Sequence, residues 1–253
     1  MIGLILGTSE GKKILALLNK YTEDIYITTA TAYGGELLKN FKFKKLNTKP
    51  LELEKLIDQL SKNNVKVLVD ASHPYALVIT ENAIEACKRL GISYVRYERA
   101  SVVEGFKDNV IEVKDYEELK EKLLNIQGTI LNTTGSNNID KFNNMNLSNR
   151  IVHRVLPSVK VMEKCFDLGI KTEDIIAIKG PIGYELNCGF IREYNAKAMI
   201  LKDSGVQGGT EEKLRAAIDM GVKPLVIERN SVKTENSFNS EEEVVNFVVN
   251  KLL

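Results

Sequence analysis

Val65-Lys66-Val67-Leu68-Val69-Asp70-Ala71-Ser72-His73-Pro74-Tyr75-Ala76 is the stretch from which the fold of this 253-residue chain is read. Val65–Val69 is a short β-branched run of the kind that forms a buried strand. Polar side chains follow it at once: Asp70, Ser72, His73 and Tyr75. Open parallel sheets bind ligands in the crevice outside the carboxyl ends of their strands. The stretch therefore sets acceptors, donors and an aromatic ring where a small molecule would bind. The same residues also read as a helix entry, with Asp70 or Ser72 capping and Pro74 near the first turn. That reading leaves His73, one of only two histidines, and Tyr75 without a task.

Outward from this point, strand and helix signals alternate. Ile2–Leu6 leads through Gly7-Thr8-Ser9-Glu10-Gly11 into a helix with an apolar face of Ile14, Leu15, Leu17 and Leu18. Strands are expected over 25–29 and 43–47, a short helical piece over 35–40, and an amphipathic helix over 51–62. A helix over 76–90 and a strand over 93–97 follow the central stretch. The rhythm then restarts. Strands over 110–113, 129–131, 151–155, 175–178, 198–201 and 225–227 alternate with helices over 116–124, 159–168, from about 184, 211–220 and from 240. The asparagine-rich segment 137–149 reads as a surface loop. This alternation predicts an α/β protein of two Rossmann-like lobes with mostly parallel sheets and a ligand cleft between them. The lobes are expected at 1–112, nucleotide-binding, and 113–253.

Composition narrows the function. A net charge of +1 provides no electrostatic footprint for nucleic acid or an anionic membrane. An anionic ligand must be held by local Lys, Arg or backbone N–H groups. Cys87, Cys165 and Cys188 are far apart and lack metal-ligand spacing, so free buried thiols and a cytoplasmic location are expected, with no metal site. No apolar run approaches the ~20 residues of a membrane span. Signatures of hydrolytic or nucleophilic catalysis are missing from the sequence, which points to a cofactor that carries its own reactivity.

Further candidate sites lie at other strand ends. The first turn, Gly7-Thr8-Ser9-Glu10-Gly11, occupies the phosphate-loop position, where a helix N-terminus offers N–H groups to an anion. The end of the second strand, Thr28-Thr29-Ala30, offers hydroxyls to a ribose but neither the acid nor the arginine that distinguishes NAD from NADP sites. Lys202-Asp203-Ser204-Gly205 with Gly208-Gly209 suggests close backbone approach to a ligand beside a cation. Thr133-Thr134-Gly135-Ser136 makes a small anion nest or an ordinary turn. Arg96, Arg99 and Arg154 are candidate carboxylate clamps.

Taken together, Leu6–Gly11, Asp70–Ala76, Tyr94–Arg99, Arg154–Pro157, Lys179-Gly180-Pro181, Lys202–Gly205 and Glu212-Lys213-Leu214 resemble the precorrin-6A reductases of cobalamin biosynthesis, in family order over roughly residues 1–230. The resemblance implies hydride transfer from NADH or NADPH to one double bond of a carboxylated tetrapyrrole, precorrin-6A or its cobalt complex, giving the 6B form. On it, Gly7, Thr8 and Ser9 contact the cofactor; the reading of the strand ends adds Thr29, Gly208 and Gly209. The resemblance also has His73, Tyr75, Lys202, Asp203 and Ser204 border the reacting pair, while Ser72, Arg96, Thr134, Gly135 and Arg154 are expected from their own positions to meet the substrate. Leu6 stands where the family's pattern expects another glycine. The compositional bias towards Lys, Asn and Ile favours the cobalt-containing substrate. No nucleic-acid or membrane partner is expected, and the chain should be a monomer or weak homo-oligomer. On the residues alone, a two-lobed binding module for an anionic small molecule and a tetrapyrrole-modifying transferase stay open.

Overall fold

Ile2–Leu6 (β1) is buried along its whole length, as a strand covered on both faces of a parallel sheet must be. In the computed structural model, which describes residues 1–7, 11–229 and 234–252, the chain divides into two units, Met1–Arg99 with Asn230–Leu253 and Ala100–Arg229.

In the first unit β1 is followed by α1 (Gly11–Leu18), β2 (Ile25–Thr28), α2 (Ala32–Glu36), β3 (Lys45–Asn47), α3 (Leu53–Lys62), β4 (Val67–Ala71), α4 (Leu77–Leu90) and β5 (Ser93–Tyr97). The second unit contains β6 (Ile111–Val113), α5 (Tyr116–Leu123), β7 (Thr129–Asn132), α6 (Ile139–Asn144), β8 (Ile151–Val155), α7 (Val159–Asp167) and β9 (Ile175–Ala177). It continues with α8 (Tyr184–Glu193), β10 (Ala196–Lys202), α9 (Thr210–Asp219) and β11 (Lys223–Ile227). The chain then returns to the first unit with β12 (Ser237–Phe238) and α10 (Glu241–Leu252).

The first sheet has the order β3-β2-β1-β4-β5-β12 and the second β9-β8-β7-β10-β11-β6. Every pairing is parallel. Each sheet therefore has a Rossmann-type arrangement with a switch point where ligands bind, the edge strand β6 of the second coming from earlier in the chain. In the first sheet the switch lies between β1 and β4, and in the second between β7 and β10.

Three expectations are corrected. The units do not part at residue 112: β6 pairs with β11, while β12 lies beside β5, with Glu98 N–H donating to the Phe238 carbonyl at 2.8 Å. Val244, Val245 and Val248 of α10 bury in the first unit's core. Local pattern encodes a short edge strand but not which sheet it joins. The segment 137–149 contains a helix, α6, because Ile139, Phe142 and Met145 recur at helical spacing and are buried. The central strand runs over Val67–Ala71 rather than 65–69, so Asp70 lies within it. The three cysteines are free and buried, as expected, and burial pushes the Cys87 thiol up to about 12. No helix among the described residues is long and apolar enough to cross a membrane.

Candidate active site

In the first unit a cavity of about 420 Å³ opens at the carboxyl ends of β1, β2 and β4. Its lining includes Gly7, Thr29, Lys49, Ser72, His73 and Tyr75. Gly7 needs no glycine for its own sake. Its φ is not among the positive ones, and a Cβ there would lie 3.5 Å from the Ala71 carbonyl and 3.8 Å from the His73 nitrogen, ordinary contacts. Gly7 lines the cavity, so the bare backbone is a cradle suited to a ligand that approaches closely. Thr8 and Ser9, expected beside it, lie outside the described residues.

His73 opens a turn closed by the Ala76 N–H donating to the His73 carbonyl at 2.8 Å, with Pro74 at its second position. The Tyr75 N–H donates to His73 Nδ1 at 3.3 Å, which in the neutral ring places the proton on Nε2. The two rings pack with centroids 5.8 Å apart. Thr29 lines the cavity, but its hydroxyl donates to the Thr31 carbonyl at 3.0 Å.

Asp70 is fully buried and is not a ligand-facing group. Its carboxylate accepts from the Ser72 N–H at 2.9 Å, the Thr80 hydroxyl at 2.8 Å and the Tyr94 hydroxyl at 2.9 Å. It also pairs with Arg96 at 2.9 Å. These four donors use its lone-pair capacity. Arg96, expected to clamp a substrate carboxylate, thus clamps one of the protein's own. It also donates to the Ser72 hydroxyl at 3.0 Å. Ser72 is likewise engaged internally, and the network fixes the backbone from which His73 projects. Burial and the Asp70 charge push the Tyr94 phenol well up, so it stays protonated and donating.

The second unit repeats the device at its own switch point. Asn132 at the end of β7 accepts from the Thr134 N–H at 3.0 Å and its hydroxyl at 2.7 Å. Asp203 at the end of β10 accepts from the Gly205 N–H at 3.1 Å. Gly135 (φ 86, ψ −179) and Gly205 (φ 74, ψ −179) then turn the chain in a region of backbone space open essentially to glycine alone. Thr134, Gly135, Lys202, Asp203 and Ser204 gather at the two strands flanking this switch point. Asp203 itself is an anchor. It is 4% exposed, takes the Ser101 hydroxyl at 2.7 Å, and pairs with Arg229 at 3.0 Å. The Ser204 N–H donates to the Thr210 hydroxyl at 2.9 Å. Burial lowers the Lys202 pKa, and Lys141 lowers it further.

Gly209, expected to approach a cofactor, has an internal reason instead. Its φ is +66, and a Cβ there would sit 3.0 Å from the Pro181 Cβ. Gly208 closes the short helical turn before it. Arg154 at the end of β8 donates to Asn187 Oδ1 at 3.3 Å. Sequence reading missed Lys213 as a functional candidate. It sits in the first turn of α9, only 4% exposed, on the face shared with Leu214, Ala216 and Ala217. A lysine within an apolar helical stripe was the available signal.

His153 lies behind this switch point, with its Nδ1 accepting from the Asn132 amide at 2.9 Å and its ring edge-on to Phe142. Burial pushes its pKa down to about 4, against a weaker opposing pull from Asp174. Below an unfolded value near ~6.5 the unfolded chain binds a proton that the folded chain refuses until about pH 4. Stability should therefore fall across that window, by a few kcal/mol in order of magnitude. Urea midpoints at stepped pH for wild type and His153→Gln check this: the variant's profile should be flatter there, and parallel profiles would remove His153 as the cause.

Among the described residues no cluster of His, Cys, Asp or Glu could hold a metal. Residues 1–249 match the family model described as precorrin-6x reductase CbiJ/CobK. The chain is similar to the cobalt-precorrin-6A reductase of Priestia megaterium, 35% identical over 254 residues covering 99% of each chain. It is also similar to that of Methanocaldococcus jannaschii, 35% identical over 240 residues covering 95% of this chain and 93% of that one. A solved CobK precorrin-6A reductase shares the fold, with a TM-score of 0.78 at 19% identity over 99% of this chain and 97% of that one.

Proposed function

The chain belongs to the precorrin-6x reductase CbiJ/CobK family, and from that premise we propose how its own residues serve the reaction. It is an oxidoreductase of cobalamin biosynthesis that reduces a double bond of the corrin-precursor macrocycle with a reduced nicotinamide cofactor. The carrying observation is the cavity at the first unit's switch point, where Gly7 leaves a cradle that neither packing nor backbone conformation requires.

We assign the cofactor to that cavity, with NADPH as the form used. Among the described residues the cavity lining contains no carboxylate to bond a ribose 2′-hydroxyl, whereas Lys49 supplies a cation suited to a 2′-phosphate. The metal in the substrate is cobalt: the two relatives at 35% identity are named for the cobalt complex.

When bound, the cofactor supplies hydride to one carbon of the double bond; the neighbouring carbon needs a proton. Lys202, at the second unit's switch point, donates it from Nζ and recovers one from solvent. Its lowered pKa makes it a better acid near neutrality than an ordinary lysine. His73 offers its Nε2–H as an orienting hydrogen-bond donor, and Tyr75 packs beside it. Leu6, Leu51 and Ile79 keep the cavity walls apolar and limit water. Arg154, Thr134 and Gly135 bind the macrocycle's carboxylate side chains. Most of the acceleration comes from holding donor and acceptor in register.

Steady-state kinetics with both nicotinamides test the cofactor assignment. Wild type should show a KM for NADPH at least about tenfold below that for NADH, a preference of about 1.4 kcal/mol. Lys49→Glu should shrink that gap by raising the NADPH value alone. Equal KM values in wild type would refute the choice of NADPH.

A further inference from the structure

Lys213 and Arg154 make an electrostatic arrangement that the second unit's own residues do not complete. Lys213 is 4% exposed, yet no hydrogen bond or ion pair joins its ammonium to any described residue. Burying an ammonium without a close counter-charge is strongly unfavourable. A further cation, Arg154, repels it. Arg154 has no ion pair among the described residues either; the one hydrogen bond of its guanidinium goes to Asn187. Asn187 is held in place because its own amide donates to the carbonyls of Ile182 and Gly183, at 3.3 and 2.9 Å.

The loop Gly180–Gly183 ties the two cations to one locality. A Cβ on Gly180 would lie 3.9 Å from Arg154 Nη2, so bare backbone passes the guanidinium. The next residue, Pro181, touches Gly209 at the start of α9, the helix that carries Lys213. The positive end of that helix adds to the field. Asp203 and Glu212 attract Lys213 without pairing with it. Asp203 is already occupied by Ser101, Gly205 and Arg229, and Glu212 Oε2 is buried without a partner beside Gly209. Arg154, Lys213 and Arg229 against Asp203 and Glu212 leave one positive charge over.

We propose that Arg154 and Lys213, beside the Gly180–Pro181 backbone, form an oxyanion-binding pocket that takes a carboxylate or phosphate group of a ligand. The pocket rests on the reductase reading for its occupant, since the macrocycle's carboxylates and the cofactor's phosphates share this chemistry. It deepens that reading by adding Lys213, which supplies the second charge. The free pocket holds Lys213 at about 7, through burial and Arg154, with Asp203 and Glu212 opposing. An arriving anion stabilises the charged form, so binding weakens as the free enzyme loses that proton.

The test uses Lys213→Met, Lys213→Arg and Arg154→Met. Lys213→Met should raise the KM of the ligand docking here at least about tenfold and leave the other within about twofold. A rise for the tetrapyrrole identifies a carboxylate; a rise for the nicotinamide cofactor identifies a phosphate. In wild type that KM should climb between about pH 6 and about pH 8.5, whereas Lys213→Arg, always charged, should keep it low and flat. Melting curves with inorganic phosphate and with citrate, at matched ionic strength, probe the pocket without turnover. Stabilisation of wild type by either, lost in Arg154→Met, supports it even if no reductase activity is found. Wild-type KM values unaffected by pH, with no anion stabilisation, overturn it whether or not Lys213→Met folds.

Discussion

Asp70→Asn is expected to cost about 3–5 kcal/mol of folding stability, because it leaves Arg96 as a buried charge without its counter-ion. Asp70 has no exposed surface and Arg96 has 4% of its own. Neither can recover by turning to solvent. The loss would be a large part of the roughly 5–15 kcal/mol that holds a typical domain folded. The double variant Asp70→Asn/Arg96→Met removes both charges and should regain much of the loss, since an apolar replacement of a buried pair is often near neutral. Denaturant midpoints for the three proteins check this. A single variant within about 1 kcal/mol of wild type would mean that the pair contributes little. The consequence for function is indirect: with Asp70 gone, Ser72 and Arg96 no longer fix the strand end that carries His73.

Gly7→Val should act in the opposite way, on catalysis and hardly on folding. The Cβ meets only ordinary contacts, so the fold tolerates it. Gly7 lines the cavity to which we assign the cofactor, so the added methyl groups are expected to narrow it. A rise of at least about thirtyfold in the KM for NADPH is expected, roughly 2 kcal/mol of lost binding. The melting temperature without ligand should stay within a few degrees. Stabilisation of wild type by added NADPH, absent in the variant, would give the same answer without substrate. A variant that binds the cofactor normally would move the cofactor away from Gly7.

These two residues illustrate what sequence reading captured and what escaped it. The run Val65–Val69 was read as a buried strand, and β4 lies there within two residues, since period and β-branching are local properties. It could not say that the strand continues through Asp70, because a buried carboxylate looks like a surface one until its partners are known. Tyr94 and Arg96 are more than twenty residues further along the chain. The partners of Asp203 escaped sequence reading in the same way: Ser101 and Arg229 are distant in sequence. Gly209 was attributed to a ligand, but its positive φ and contact with Pro181 account for it. Lys213 was quoted only within Glu212-Lys213-Leu214 and given no role, because its burial depends on packing that local sequence does not encode. The short strands β6 and β12 carried no information about which unit they join.

The central claim is that the chain reduces a corrin-precursor double bond with a nicotinamide reductant. The most direct measurement is anaerobic incubation of the purified protein with cobalt-precorrin-6A and NADPH, following the macrocycle by mass and the cofactor by absorbance. The account predicts a macrocycle gaining two hydrogens, one equivalent of NADPH oxidised for each, and loss of turnover in Lys202→Met with the fold intact. An unchanged macrocycle mass, with the protein folded and the cofactor bound, would contradict it.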